Sequence, residues 1–151
     1  MSTGVPVRES PAGALGDRLI AILVVGLAVT LVWLLVQVDP DPRGHGTHER
    51  LGMPPCSWPI AYGKPCPTCG VTTAATWLVH LHPLRALGTQ PFGALLAAAG
   101  LYVAVVALLS LWRRESLIAR IALWPVGTIT IVTIVAFLCG WAWTWLTWPA
   151  R

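Results

Sequence analysis

Charged residues are scarce in this sequence. Asp, Glu, Lys and Arg make up 11% of the 151 residues, whereas hydrophobic residues make up 56% and the mean hydropathy is +0.70. Soluble globular domains carry about a quarter of their residues as charged side chains, so this composition excludes a chain that is surrounded by water. The sequence therefore predicts an integral membrane protein whose main partner is the lipid bilayer.

The sequence also lacks the patterns on which several functions depend. It has no recognisable acid/base pair, nucleophile triad or phosphate-binding loop. This favours an accessory role, with an enzyme as the alternative. Ten basic and six acidic residues give a net charge of +4, and the basic residues stand in ones and twos at the ends of apolar runs. Nucleic-acid binding needs a basic stripe with interleaved aromatic residues, so no nucleic-acid partner is expected.

Three apolar runs, at residues 19–38, 91–112 and 121–146, have spanning length. Each covers the ~30 Å hydrocarbon core at about 1.5 Å per residue. The first run is long for a signal peptide, and no small-residue cleavage pattern follows it. We therefore predict an all-α integral membrane fold with three transmembrane helices, arranged as a single membrane domain over residues 1–151 with an N-terminal tail at 1–18.

Between the first two spans we predict a polar loop at residues 39–65 and a cysteine-motif segment at residues 66–90. Within the second segment, residues 69–81 are uncharged and mostly apolar, which predicts a helix that ends before Pro83. About a dozen residues are too few to cross the bilayer. The helix is therefore expected to be re-entrant or interfacial; the alternative is a short span, which would give the chain four spans.

The motif Cys-Pro-Thr-Cys-Gly at residues 66–70, with Cys56 upstream, is the chemically most specific feature. Two intervening residues let the sulfur atoms of Cys66 and Cys69 converge, and Gly70 permits a close backbone approach. Such knuckles hold zinc or iron, so Cys56, Cys66 and Cys69 are the predicted metal ligands. A tetrahedral site needs a fourth ligand, which we expect to be His80 or His82 from a wider set that also contains His45, His48 and Cys139.

Two other uses of these cysteines stay open. A structural disulfide from Cys56 to Cys66 or Cys69 would tie the loop to the short helix. Alternatively, a helix N-terminus stabilises a thiolate, so Cys66 and Cys69, together with Cys56, suit thiol–disulfide exchange. The function predicted from the residues is thus an accessory, assembly or binding protein with a cysteine-based metal or disulfide site at one membrane surface. Its alternative is a membrane thiol–disulfide oxidoreductase.

Tryptophan, glycine and arginine indicate how the spans are placed. The tryptophans that end the third run predict a membrane interface, and glycines predict close helix packing at Gly93, Gly100, Gly127 and Gly140. The short connection at residues 113–120 contains three arginines, and the positive-inside effect is strongest in short loops. We therefore expect a cytoplasmic N-terminus, with the cysteine segment on the outer side of the membrane, where a disulfide persists.

The order of these features resembles the bacterial membrane proteins of domain-of-unknown-function family 2752. The resemblance covers residues 56–112: Cys56, then GKPCPTCGVT at 63–72, a short apolar helix, and Gln90-Pro91 at the start of a span. The family pattern is roughly Cys, a spacer, Cys-Pro-x-Cys-Gly-(Leu/Met)-Thr-Arg, a helix, Gly-Asp and Asn-Pro. Here Thr73 replaces the Arg, Leu81-His82 replaces the Gly-Asp, and Gln90 replaces the Asn. The resemblance implies a bacterial membrane protein and transfers no reaction. We expect the bacterial inner membrane as the location, and the accessory role makes other membrane protein subunits possible partners.

Overall fold

The computed structural model of the protein describes residues 11–148, and all regular structure in that range is helical. The helices are α1 (Pro11–Val36), α2 (Thr47–Arg50), α3 (Ser57–Tyr62), α4 (Val71–Val79), α5 (Pro83–Thr89), α6 (Pro91–Arg113), α7 (Leu117–Ala122) and α8 (Val126–Thr147). Three of them, α1 from Ala14 onward, α6 and α8, are long and apolar enough to cross a membrane. The predicted all-α fold with three spans is confirmed, and no fourth helix of spanning length occurs in residues 11–148.

The first helix begins earlier than the predicted span. The predicted tail at residues 1–18 is helical from Pro11 onward, and its first ten residues lie outside the described residues. The carboxylate of Asp17 accepts hydrogen bonds from the backbone N–H groups of Leu117 and Ile118, at 2.9 and 2.8 Å, and the Asp17 side chain is buried. Since Asp17 binds the N-terminus of α7, this turn of α1 is packed against protein and is not a solvated tail.

The third span begins at Val126, so the prediction of one continuous helix from residue 121 is wrong. Residues 117–122 form the separate helix α7, and the chain leaves helical structure before Pro125. Proline has no backbone N–H, and it disfavours the helical conformation in the residue before it, here Trp124. Pro125 therefore separates the two helices and stands as the N-cap of α8.

The cysteine-motif segment contains two short helices where one was predicted. The expected helix is present as α4, and it ends before Pro83 as predicted. Pro83 then occupies the first turn of α5, where a missing N–H is tolerated. Leu81, with a φ of 62°, turns the chain between the two helices. Both are too short to cross the bilayer, so this segment is a helical pair beside the three spans.

The long helices meet through small residues. Helix α6 contacts both α1 and α8, and it also contacts α4, α5 and α7. Many large apolar side chains of the spans point outward, as expected for lipid contact, whereas the buried clusters are built largely from alanine. Gly93 lies against α4 and Gly140 against Phe92 of α6, where added Cβ atoms would come within 2.8 and 2.6 Å of their neighbours. Open space surrounds the other two predicted packing glycines, Gly100 and Gly127.

We expect Asp17→Ala to lower the free energy of unfolding by about 2 kcal/mol, because two N–H groups of α7 lose a charged acceptor. Denaturant unfolding in detergent micelles, followed by far-UV circular dichroism, measures the change. Asp39→Ala removes an exposed carboxylate and serves as the control, with an expected change below about 0.5 kcal/mol. Equal losses in the two variants would contradict the role of Asp17.

Candidate metal-binding site

The cysteine motif forms a tight turn in front of α4. The backbone N–H of Cys69 donates to the carbonyl of Cys66 at 3.1 Å, and that of Val71 donates to the carbonyl of Thr68 at 3.1 Å. Gly70 is the N-cap of α4 with a φ of 86°, a conformation that residues with a side chain rarely adopt. The chain therefore reverses within the motif and brings its two thiols together.

Three sulfur atoms converge at this turn. The Sγ atoms of Cys56, Cys66 and Cys69 lie within 4.8 Å of one another. Cys56 comes from a different segment, where it is the N-cap residue of α3. Cys69 is buried, the other two are partly exposed, and all are free thiols. Sulfur atoms in this arrangement supply three of the four ligands of a tetrahedral site, so the predicted convergence of the cysteines is present.

The three thiols differ in acidity. Burial raises the pKa of Cys69 to about 12, with a further increase from the neighbouring Cys66, and burial also raises the pKa of Cys56. At Cys66 burial acts in the same direction, but hydrogen bonds from Thr68 and from the other two thiols outweigh it, so that the pKa of Cys66 is lowered. Cys66 is therefore the thiol that ionises first as the pH rises, and binding a metal to all three would release protons.

The cysteines line a cleft of about 550 Å³ that also contains residues of the loop after α1. From that loop, His45, His48 and Glu49 line the same cleft. From the sequence, these two histidines belong only to the wider set of possible ligands. They reach this cleft because the loop folds onto α4.

Buried polar contacts hold this loop against α4. The hydroxyl of Thr47 donates to the hydroxyl of Thr73 at 2.9 Å and accepts from the backbone N–H of Asp41 at 2.9 Å. The Asp41 carboxylate binds the Arg43 guanidinium at 2.9 Å, and this hydrogen bond lowers the pKa of Asp41. Thr73, which stands where the family pattern has Arg, is thus a buried anchor of the loop.

Tryptophans at the end of α8 hold the chain that leads into the motif. The indole N–H of Trp148 donates to the carbonyl of Gly63 at 3.1 Å. The indole N–H of Trp141 donates to the carbonyl of Pro65 at 3.4 Å, one residue before Cys66. From the sequence, these tryptophans are predicted to mark a membrane interface. Their place at the same end of the spans as the cysteine loop was the available signal for this second role.

The histidines predicted as the fourth ligand lie at the other end of α4. The ring of His80, the C-cap residue of that helix, has its Nε2 atom 3.3 Å from the carbonyl of Leu35. The ring of His82 packs edge-on against Trp77, with 5.4 Å between centroids. The nine residues of α4 extend for about 14 Å between the motif and these side chains. Among the described residues, the group of potential metal ligands contains the three cysteines, without these histidines or Cys139.

We expect Gly70→Ala to destabilise the protein more than Gly63→Ala. Both glycines have positive φ, so a methyl group strains either by about 1 kcal/mol. At Gly70 the added Cβ would also lie 2.8 Å from the carbonyl oxygen of Gly44, whereas nothing lies within 4 Å at Gly63. The loss at Gly70 should be at least about twice as large. Thermal unfolding in micelles compares the two variants, and equal losses would show that the contact with Gly44 is unimportant.

Residues 56–111 match the sequence model of a family described as "Protein of unknown function (DUF2752)". The match begins at Cys56 and includes the cysteine motif, α4, α5 and most of α6. A search of curated proteins and a search of solved structures found no match. The resemblance inferred from the cysteine motif is therefore confirmed as a match of residues 56–111 to the model of this family.

Proposed function

We propose that this protein binds a zinc or iron ion at one membrane surface through Cys56, Cys66 and Cys69. The observation that supports this function is the convergence of three sulfur atoms, from two segments of the chain, within 4.8 Å. Thiolates are preferred ligands of zinc and of iron centres. The ion would join the beginning of α3 to the beginning of α4.

The proposed role of such a centre is accessory. An ion held by these cysteines would make the loop surface rigid at the end where α1 and α8 finish and α6 begins. A rigid surface beside a cleft of about 550 Å³ suits the binding or assembly of other membrane protein subunits. We infer that the protein acts by presenting this surface to a membrane partner.

A second candidate function is thiol–disulfide exchange, which the mutual reach of three free thiols favours. The Cys66 thiolate would attack a disulfide of a substrate protein, form a mixed disulfide and release one substrate thiol. Cys69 would then attack the Cys66 sulfur, so that a Cys66–Cys69 disulfide forms and the second substrate thiol leaves. Two electrons and two protons pass to the substrate, and Cys56 can take over the disulfide by the same exchange.

Metal analysis of the purified full-length protein tests the first function. We expect about one zinc or iron per chain, and we expect Cys66→Ser to weaken metal binding by at least about tenfold, because a direct ligand is lost. Cys139→Ser is the matched control, since Cys139 is an exposed residue of α8 outside the cluster, and it should retain the metal.

Thiol-state mass spectrometry of the same samples separates the two functions. Metal-bound thiols should be found reduced in the wild-type protein. A protein without metal, with a reducible bond between Cys66 and Cys69, would overturn the metal site and support exchange. Stoichiometric metal that Cys66→Ser removes would overturn the exchange reaction.

We further propose that the protein lies in a bacterial inner membrane with its N-terminus in the cytoplasm and the cysteine segment outside. The support is the charge of the connection at residues 113–120, which contains three arginines. The contact between Asp17 and the start of α7 joins the beginning of α1 to this connection. The polar loop and the cysteine-motif segment follow the other end of α1, on the opposite side of the membrane.

Reporter fusions to the full chain test this orientation. Three spans place the two termini on opposite sides of the membrane. Green fluorescent protein fused to the N-terminus should therefore fluoresce, and the same reporter fused to the C-terminus should be exported and should not fluoresce. Alkaline phosphatase should show the reverse pattern, because it becomes active only outside the cytoplasm, where its disulfides form. The opposite result for both reporters would reverse the assigned sides of the membrane.

A further inference from the structure

We propose that His45 supplies the fourth ligand of the metal ion, through its Nε2 atom, and this inference rests on the proposed metal-binding function. The cysteines supply three sulfur ligands, and a tetrahedral ion takes one more. His45 lines the cleft on which the three thiols open, whereas His80 and His82 lie beyond the far end of α4. The completed site would have three sulfur ligands and one nitrogen ligand.

The hydrogen bonding of the His45 ring leaves Nε2 ready for a metal. Its Nδ1 atom is 3.0 Å from the backbone carbonyl of Arg43. A carbonyl only accepts hydrogen bonds, so Nδ1 carries the proton and Nε2 keeps its lone pair in the neutral ring. Histidines that bind metals typically donate their other N–H to a carbonyl or carboxylate in this way.

Neighbouring residues hold both partners of this hydrogen bond in place. The His45 ring packs against the indole of Trp148, with 4.7 Å between centroids, and the same indole binds the carbonyl of Gly63 in the cysteine loop. The Arg43 backbone N–H and guanidinium both bind the Asp41 carboxylate. Trp148 therefore positions the imidazole and the chain that leads into the motif together.

The backbones of the two loops touch beside the proposed ligands. An added Cβ on Gly70 would lie 2.8 Å from the carbonyl oxygen of Gly44, so these two residues are in close contact. Gly44 precedes His45, and Gly70 follows Cys69. The His45 ring nitrogens are outside the group of sulfur atoms within 4.8 Å of one another. Coordination by all four ligands would therefore require the imidazole and the sulfur atoms to approach one another.

Zinc binding by the full-length protein in micelles tests the proposal. X-ray absorption of the zinc-loaded wild type should show three sulfur ligands and one nitrogen ligand. His45→Ala should lower zinc affinity by at least about tenfold and replace the nitrogen ligand by water oxygen. His48→Ala is the matched control, because His48 lines the same cleft, and it should leave affinity and ligands unchanged.

A rescue variant separates the loss of a ligand from a loss of structure. His45→Cys places a sulfur ligand at the same position and should restore zinc binding with four sulfur ligands, while circular dichroism reports the helix content of each variant. Unchanged zinc affinity in His45→Ala, or loss of the nitrogen ligand in His48→Ala, would overturn the role of His45 but not the proposed metal-binding function. A wild-type protein that binds no zinc or iron would overturn the proposed metal-binding function as well.

Discussion

Helices α4, α6 and α8 pack around the side chain of Gln90, and the position of the cysteine site depends on this packing. Gln90 is fully buried, and its Oε1 atom accepts a hydrogen bond from the backbone N–H of Gly93 at the start of α6. Added Cβ atoms on Gly70 and Gly140 would lie 3.4 and 3.3 Å from the Gln90 side chain. Because the cysteine motif ends at Gly70, the packing around Gln90 places the thiols at the end of the bundle where α6 begins.

Around Gln90, backbone carbonyls of the loops accept hydrogen bonds from protein side chains. Carbonyl groups near the bilayer need hydrogen-bond donors, and lipid supplies none. Indole N–H groups of tryptophans at the end of α8 donate to the carbonyls of Gly63 and Pro65 in the loop and of Gly88 at the end of α5. The hydroxyl of Thr47 joins the loop after α1 to α4. The apolar bodies of the tryptophans suit the membrane interface at the same time. The chain that leads into the cysteine motif is therefore held by α8, and the loop after α1 is held by α4.

The sequence was informative wherever the cause of a structure is local. Hydropathy and length predicted three spans, and the spacing of Cys66 and Cys69 predicted that their sulfur atoms converge. Local rules were less successful at prolines, which end helices and also begin them. Pro83 was expected to end a helix, and it also begins α5; Pro125 was expected inside a span, and it separates α7 from α8.

The sequence by itself determined a three-span membrane protein with a cysteine motif in the loop after the first span, because composition, length and short spacing are properties of neighbouring residues. Only the tertiary structure decided which side chains share the site. It placed His45 and His48 in the lining of the cleft that the thiols also line, and it left His80 beyond the far end of α4. It also brought Asp17 to α7, 100 residues along the chain. Such contacts depend on how helices and loops pack, and the spacing of residues along a chain carries little information about that packing.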